Sequence, residues 1–348
     1  MKTKNNTKYI IVIFILSRIL FLLSLFRHSL ILFDSHSYIK IAQFGYIENY
    51  LYAFFPLYPI LIKTLHFIIP SYVASGMIIS NISTLLAAFI LCSLVKKEKT
   101  KNTILLLFIF SPILGFTTIC YTEGLYLLLT ILAFYYYKKN KVISGIFIGL
   151  SMLTRNTGII LLGAFTLELL IKWFKKKVRF KEILLLVTPA ILIGFLYSIY
   201  LWITINNPFM YITVQSTEWG RVSCNIFTLL IKDIKYTITN HESIYLAILN
   251  WLFIGIAIYH SIKNIKKDFA LSIYVIVSII LFATTCRVEP WQTLPSVGLF
   301  RYVFSLFPIY LFLVNVKEDK KIYKYNLIMY ILISLVNASM LYANNFIA

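Results

Sequence analysis

Apolar residues in this chain occur in long continuous runs, and short lysine-rich segments separate them. Most runs are roughly 17–25 residues long, the length a helix needs to cross about 30 Å of hydrocarbon. They do not alternate between polar and apolar positions, so a transmembrane β-barrel is excluded. About eleven membrane-spanning helices are predicted, at residues 9–33, 72–95, 103–120, 122–137, 142–155, 157–173, 183–205, 244–262, 269–286, 300–316 and 325–345.

One apolar segment, residues 56–70, does not fit a crossing because it is short, contains Lys63 and His66 and has prolines at both ends. We predict an interfacial or re-entrant helix in the first external loop. Most of the 33 basic residues then fall in loops on one side, which the positive-inside rule makes cytoplasmic. Those loops are residues 1–8, 96–101, 138–141, 172–181, 263–267 and 317–324.

Composition agrees with an all-α, polytopic membrane protein. The 348 residues are 60% hydrophobic and 13% charged, and their net charge is +20. In a soluble protein this charge would indicate nucleic acid, but here it follows from membrane orientation, so no nucleic-acid partner is expected. No break in composition marks a soluble domain, and residues 1–348 are predicted to form one integral-membrane domain whose first helix is retained.

The predicted topology collects charged residues at the non-cytoplasmic end of the bundle. Two long loops, residues 34–71 and 206–243, lie at the same end, where sites are usually built on a rigid scaffold. The charged residues there are Asp34, Glu123, Arg155, Arg221, Arg287 and Arg301.

Asp34 is the first carboxylate of the chain and follows the first apolar run. Covered by the segment 56–70, it would lie in a partly dehydrated cleft and suit a general base acting on a sugar hydroxyl. A solvated loop residue is the simpler alternative. His36 would assist as a base, bind a phosphate or cap a helix.

Glu123 opens a predicted helix, where the helix dipole alone would stabilise a carboxylate, but an acid at the membrane edge is also a functional candidate. Arg155 precedes Asn156 in a turn between two short spans. It needs an internal carboxylate, such as Glu123 or Glu168, or an anionic ligand.

The second long loop contains Gln215, Trp219 and Arg221. An amide, a stacking ring and a guanidinium suit a carbohydrate or phosphate pocket, although an interfacial Trp with a snorkelling Arg is the simpler alternative. Arg301, at the start of a later span, adds a guanidinium of the kind that matches phosphate. No Walker A, Rossmann, HExxH, GxSxG, DxD or His/Cys metal motif occurs, so neither a cofactor nor a metal is expected.

A series of short motifs follows this order through residues 18–310: Asp34, 41–46, 53–59, Ser80-Asn81, 121–123, 153–158, 215–221, 300–302 and 307–308. The series resembles the mannosyltransferases that add the second mannose in GPI-anchor assembly, together with their bacterial and archaeal relatives. The chain is compact and has Phe33 where the eukaryotic enzymes tend to carry Trp. Both departures favour a prokaryotic relative.

The resemblance implies a GT-C glycosyltransferase fold and an inverting transfer of mannose from a polyprenyl-phosphate donor to a glycan or glycolipid acceptor. It makes Asp34 the base and Arg155, Arg221 and Arg301 candidates to hold the donor phosphate. The expected place is a prokaryotic cell membrane with the site facing outside, the alternative being the endoplasmic reticulum membrane with a lumenal site. Membrane lipids are the other expected partners, and a small membrane subunit stays open.

Two further functions remain as alternatives. A transporter or flippase for a lipid-linked or anionic substrate would also use intramembrane Arg and Glu. Against it, the polar candidates collect at one mouth of the bundle, and the two halves of the chain do not resemble each other. A non-catalytic subunit of a glycosylation complex would make Asp34 dispensable.

Overall fold

The computed structural model describes residues 2–24, 29–287 and 294–314, and these are mostly helical. The α-helices are α1 (Lys2–Ser24), α2 (Asp34–Phe44), α3 (Leu57–His66), α4 (Tyr72–Ser93), α5 (Glu98–Ile109), α6 (Glu123–Tyr137), α7 (Lys141–Met152), α8 (Gly158–Phe174), α9 (Phe180–Gly194), α10 (Leu196–Ile205), α11 (Met210–Thr217), α12 (Ile226–Thr239), α13 (Ile244–Asn264), α14 (Phe269–Ala283), α15 (Leu299–Phe304) and α16 (Pro308–Val314). Short 3₁₀ helices cover Asn49–Ala53 and His241–Ser243, and β1 (Arg221–Ser223) pairs antiparallel with β2 (Thr285–Arg287).

Three stretches of helix in the described residues are long and apolar enough to cross a membrane: Tyr72–Ser93, Phe180–Ile205 and Ile244–Asn264. Four other predicted spans overlap shorter apolar helices, Thr100–Ile109, Glu123–Tyr137, Lys141–Met152 and Phe269–Ala283. The total of about eleven stays a prediction. The span predicted at 325–345 lies outside the described residues. The all-helical membrane fold itself is confirmed.

The span predicted at 103–120 is wrong in its second half. Helix α5 ends at Ile109, and the following residues up to Thr122 form turns and irregular backbone. Pro112 explains the end of the helix, because proline disfavours helical backbone in the residue before it and lacks an N–H. Residues 110–122 are all buried. Irregular backbone is tolerated at membrane depth when protein surrounds it in this way.

Helix α3 agrees with the prediction that residues 56–70 do not cross the membrane. Its 10 residues span only about 15 Å at 1.5 Å per residue. The helix packs on α2 and α4, and its Tyr58 donates to the carbonyl oxygen of Gly76 at 2.9 Å. Helix α3 is therefore a short helix held against the bundle.

Glycines bring α7 and α9 into close contact. A Cβ added at Gly149 would lie 2.7 Å from Cβ of Ile193, and one added at Gly145 would also collide with α9. Small residues four positions apart allow this approach between membrane helices. The contact fixes the end of α7, which leads directly to Arg155.

Three of the basic loops meet at one end of the bundle. Glu168 of α8 pairs with Lys172 and accepts a hydrogen bond at 3.3 Å from the backbone N–H of Ala270, which opens α14. Lys141, at the start of α7, lies with its Nζ 4.1 Å from the ring centroid of Tyr137. This end is distinct from the one at which Asp34, Glu123, Arg155 and Arg301 converge.

Candidate active site

Four charged side chains from distant segments form one ion-pair network. Arg301 Nη1 donates to Oδ2 of Asp34 at 3.0 Å, and Arg301 Nε donates to Oε1 of Glu123 at 2.5 Å. Arg155 Nη1 donates to the same Oε1, also at 2.5 Å. The side chains of Glu123 and Arg301 are 0% and 5% exposed. The network therefore joins α2, α6, α15 and the turn after α7 inside the bundle.

The turn before α2 fixes the Asp34 carboxylate. Phe33 has a φ of 45° and a ψ of −117°, a left-handed conformation that residues with a Cβ rarely adopt. The backbone N–H of Asp34 donates to Tyr121 Oη at 3.1 Å, which satisfies one of the unpaired donors at the start of a helix. Tyr121 lies in the buried irregular segment. The strained turn is thus held by the same segment that leads into Glu123.

Glu123 occupies the first position of α6, and its Oε1 receives both guanidinium groups. Its second oxygen, Oε2, is buried and has no hydrogen-bond partner among the described residues. The expected pairing of Arg155 with an internal carboxylate is present, and the carboxylate is Glu123. Glu168, the other option, pairs with Lys172 at the opposite end.

The β1–β2 ladder places two further guanidinium groups side by side. Arg221 and Arg287 are directly opposed in register, so their side chains share one face of the ladder. Arg221 Nη2 donates to Tyr302 Oη at 2.7 Å, and no carboxylate in the described residues forms an ion pair with Arg221. Burial and the positive charge of Arg221 lower the pKa of the Arg287 guanidinium to about 10.

A cavity of about 680 Å³ opens in front of these groups, within the usual size range of about 300–1,000 Å³ for small-ligand pockets. Asp34 is its only acidic lining residue in the described part of the chain, whereas four arginines line it. The charged and hydroxyl-bearing lining residues are Asp34, Tyr38, Thr154, Arg155, Thr157, Tyr211, Ser216, Arg221, Ser223, Thr285, Arg287, Arg301 and Tyr302.

Four aromatic rings that line the cavity form a surface that we name the aromatic wall: Phe54, Phe55, Tyr211 and Trp219. The rings of Phe54 and Trp219 are 5.6 Å apart, and those of Phe55 and Tyr211 are 5.3 Å apart. Trp219 Nε1 donates to the backbone oxygen of Tyr50 at 3.3 Å. Two segments distant in sequence, the end of the first 3₁₀ helix and the region around α11, therefore build one surface.

Most of the site residues predicted from the sequence line this cavity. They are Asp34, Arg155, Asn156, Gln215, Trp219, Arg221 and Arg301. Glu123 does not line it and lies behind Arg155 and Arg301, where it holds both. His36 is exposed and does not line the cavity. It follows Asp34 by two residues, which places the two side chains about 200° apart around the axis of α2.

The predicted cover over Asp34 is wrong. Residues 56–70 do not line the cavity, and the aromatic wall with α11 encloses it instead. Helix α3 is engaged in packing on α2 and α4, so its apolar face is used there.

Sequence reasoning missed Arg287, Tyr302 and Tyr38 as lining residues. Arg287 was placed at the correct end of the bundle, but its pairing with Arg221 depends on a strand of three residues. Tyr302 directly follows Arg301 in the sequence, and this position next to a predicted site residue is the signal that could have identified it. In residues 2–24, 29–287 and 294–314, no group of three or more His, Cys, Asp or Glu side chains is arranged to hold a metal ion.

The fold is that of the GT-C class of membrane proteins. The structure superposes on the crystal structure of ArnT from Cupriavidus metallidurans bound to undecaprenyl phosphate, with a TM-score of 0.61 and 12% identity, covering 93% of this chain and 63% of that one. The Archaeoglobus fulgidus oligosaccharyltransferase in its apo form gives a TM-score of 0.48 and 12% identity, over 98% of this chain and 56% of that one.

The sequence matches the family described as Mannosyltransferase (PIG-V) over residues 19–302, and the chain belongs to this family. No curated protein sequence matches it significantly. The chain spans less than two thirds of the length of the two solved structures. The family resemblance and the GT-C fold expected from the sequence are confirmed.

Proposed function

We propose that this protein transfers mannose from a polyprenyl-phosphate donor to a glycan or glycolipid acceptor, with inversion at the anomeric carbon. The observation that carries the proposal is that Asp34 is the one carboxylate lining the cavity among the described residues, and that four arginines line it too. Such a charge distribution suits a reaction that needs one base and that ends with a doubly charged phosphate. Membership of the mannosyltransferase family supports the choice of sugar.

In the proposed step, Asp34 accepts the proton of an acceptor hydroxyl while that oxygen attacks the anomeric carbon. The bond from this carbon to the phosphate oxygen breaks on the opposite face, and polyprenyl phosphate leaves with one additional negative charge. Asp34 Oδ2 is bound to Arg301, whereas Oδ1 accepts no hydrogen bond from the described residues. Oδ1 is therefore the oxygen assigned to the acceptor proton.

The donor phosphate is assigned to Arg221 and Arg287, with Arg155 beside them. Two guanidinium groups on one face of a ladder repel each other, and a phosphate between them relieves this repulsion through charge-assisted hydrogen bonds. Arg221 and Arg287 are already in place before the reaction, so they need not rearrange when negative charge develops on the leaving phosphate. Groups preorganised in this way stabilise a developing anion strongly. Glu123 orients the remaining pair, Arg155 and Arg301, without touching the substrate.

The chain is an integral membrane protein, and we place its cavity on the non-cytoplasmic face of a prokaryotic cell membrane. The positive-inside rule supports this orientation, since three basic loops meet at the end of the bundle away from Asp34. A lipid-phosphate donor fits a site at the membrane surface, and the ArnT structure of similar fold carries undecaprenyl phosphate.

The proposal is tested with purified protein in lipid nanodiscs, given polyprenyl-phosphate mannose and a panel of octyl glycosides. Polyprenyl-phosphate glucose and GDP-mannose serve as matched donors. We expect transfer from polyprenyl-phosphate mannose, with the new linkage inverted relative to the donor in the NMR spectrum of the product. Transfer from GDP-mannose alone, a retained configuration, or no transfer from any lipid-linked donor would contradict the proposal.

A further inference from the structure

The residues that line the cavity include two chemically different sets, which we call its two sides. One side consists of guanidinium groups from the β1–β2 ladder and from the ion-pair network. The other is the aromatic wall, which contributes ring surfaces from Phe54, Phe55, Tyr211 and Trp219. A phosphate has strong partners on the first side and none of comparable charge on the second. The two sides therefore suit different parts of the reacting pair.

Helix α2 contacts residues of both sides. Asp34 is bound to Arg301 on the cationic side. One turn later, the ring of Tyr38 packs edge-on against Phe54 of the aromatic wall, with 5.1 Å between the centroids. Residues four apart lie on the same face of a helix. A ring lying on the aromatic wall would thus have the Asp34 carboxylate at its edge, where a general base for an acceptor hydroxyl is required.

Polar groups accompany the rings of this wall. Gln215 lies one turn after Tyr211 on α11, and both line the cavity together with Ser216. Asn156 lines it from the turn after α7. Amides that donate and accept hydrogen bonds next to aromatic faces fit a neutral sugar, which has apolar C–H faces and hydroxyl edges. A polyprenyl tail offers no partner for these amides, which would lose their hydrogen bonds to water without replacement.

We propose that the aromatic wall is the acceptor subsite, and that it binds a neutral pyranose ring of the acceptor through ring stacking and the amide of Gln215. This inference rests on the proposed function, since it divides the same cavity between donor phosphate and acceptor sugar. It excludes the wall as the binding surface for the donor's lipid tail.

The test compares Phe55→Leu and Tyr211→Leu with wild type, and uses Tyr200→Leu as the control. Tyr200 is an exposed aromatic residue of α10 that does not line the cavity. Transfer rates are measured against the concentration of octyl α-mannoside and, separately, against polyprenyl-phosphate mannose of short and long chain. Equilibrium binding of octyl α-mannoside is also measured by calorimetry in an Asp34→Asn background, where no transfer is needed.

Each wall variant is expected to raise the KM for octyl α-mannoside roughly 3- to 10-fold, because one stacking contact is lost. The KM for the donor should not change. Binding of the mannoside to the Asp34→Asn protein should weaken by a similar factor, and Tyr200→Leu should match wild type. A rise in the donor KM that grows with polyprenyl chain length would overturn the assignment in favour of the lipid tail. Unchanged acceptor binding in both variants would overturn it as well.

Failure of the proposed function has a different signature. A wild-type protein that transfers no sugar, yet binds octyl α-mannoside in a manner dependent on Phe55 and Tyr211, would refute mannosyl transfer and support the subsite. A protein that transfers mannose with wall variants equal to wild type in acceptor KM and in binding would refute the subsite alone.

Discussion

Replacing Glu123 with Gln removes the one negative charge that two guanidinium groups share. The Glu123 side chain is 0% exposed, and Arg155 and Arg301 both donate to Oε1 at 2.5 Å. The carbonyl oxygen of Gln can still accept both bonds, but Gln is neutral, so the two guanidinium groups lose the negative charge that they share. Breaking a buried ion pair by removing one partner costs about 3–5 kcal/mol, because an uncompensated charge remains.

The first assay is thermal unfolding of Glu123→Gln in detergent, beside the matched variant Glu168→Gln. Glu168 also pairs with a basic residue, Lys172, but its side chain is 18% exposed and it lies at the other end of the bundle. We expect a clear fall in the unfolding temperature for Glu123→Gln and little change for Glu168→Gln. A double-mutant cycle with Arg155→Gln should give a coupling energy of about 1–3 kcal/mol.

The second assay is mannosyl transfer. Glu123→Gln should lower kcat at saturating donor and acceptor, because Arg301 loses the contact that orients it toward Asp34. Glu123→Asp keeps the charge but shortens the side chain, so its kcat should fall between those of wild type and Glu123→Gln. If Glu123→Gln unfolds at the same temperature as Glu168→Gln and transfers mannose at the wild-type rate, the shared carboxylate does not organise the site.

Arg221→Gln and Arg287→Gln should each raise the KM for the lipid donor about 10-fold or more, because each variant loses a charge-assisted hydrogen bond to the phosphate. Unchanged donor kinetics in both variants would contradict the assignment of these arginines to the phosphate. Gly149→Ala should destabilise the protein by about 1–3 kcal/mol through overpacking against α9. Gly163→Ala is its control, since a Cβ there meets nothing within 4 Å, and equal unfolding temperatures would refute the close contact. His36→Ala should keep wild-type kcat and KM, and a loss of transfer would show that the exposed His36 takes part.

The sequence was sufficient to predict the end of the bundle at which the site lies. Runs of apolar residues and the lysine bias depend on composition alone, and they correctly grouped Asp34 with Glu123, Arg155 and Arg301. The ion pairs themselves could not be predicted, because Asp34 and Arg301 are 267 positions apart. The choice of Glu123 over Glu168 by Arg155 depends on which end of the bundle each carboxylate occupies in the packed structure.

The errors have identifiable physical causes. His36 is a candidate base, phosphate ligand or helix cap from its sequence position, but α2 begins at Asp34 and turns His36 away from the cavity. The helix expected over 103–120 ends at Ile109, ahead of Pro112, so Tyr121 lies in irregular backbone and can reach the N–H of Asp34. Arg287 lies on a strand too short to be read from periodicity, since three residues do not define an alternation.

The central claim is that Asp34 removes the acceptor proton, and its direct test is the single-turnover rate of Asp34→Asn with saturating polyprenyl-phosphate mannose and octyl α-mannoside. Asn keeps the size of the side chain and can still accept from Arg301, so donor binding should remain close to wild type. We expect the rate of transfer to fall by about 10²–10⁴-fold, the usual contribution of a general base. An Asp34→Asn protein that transfers mannose at the wild-type rate would contradict the mechanism.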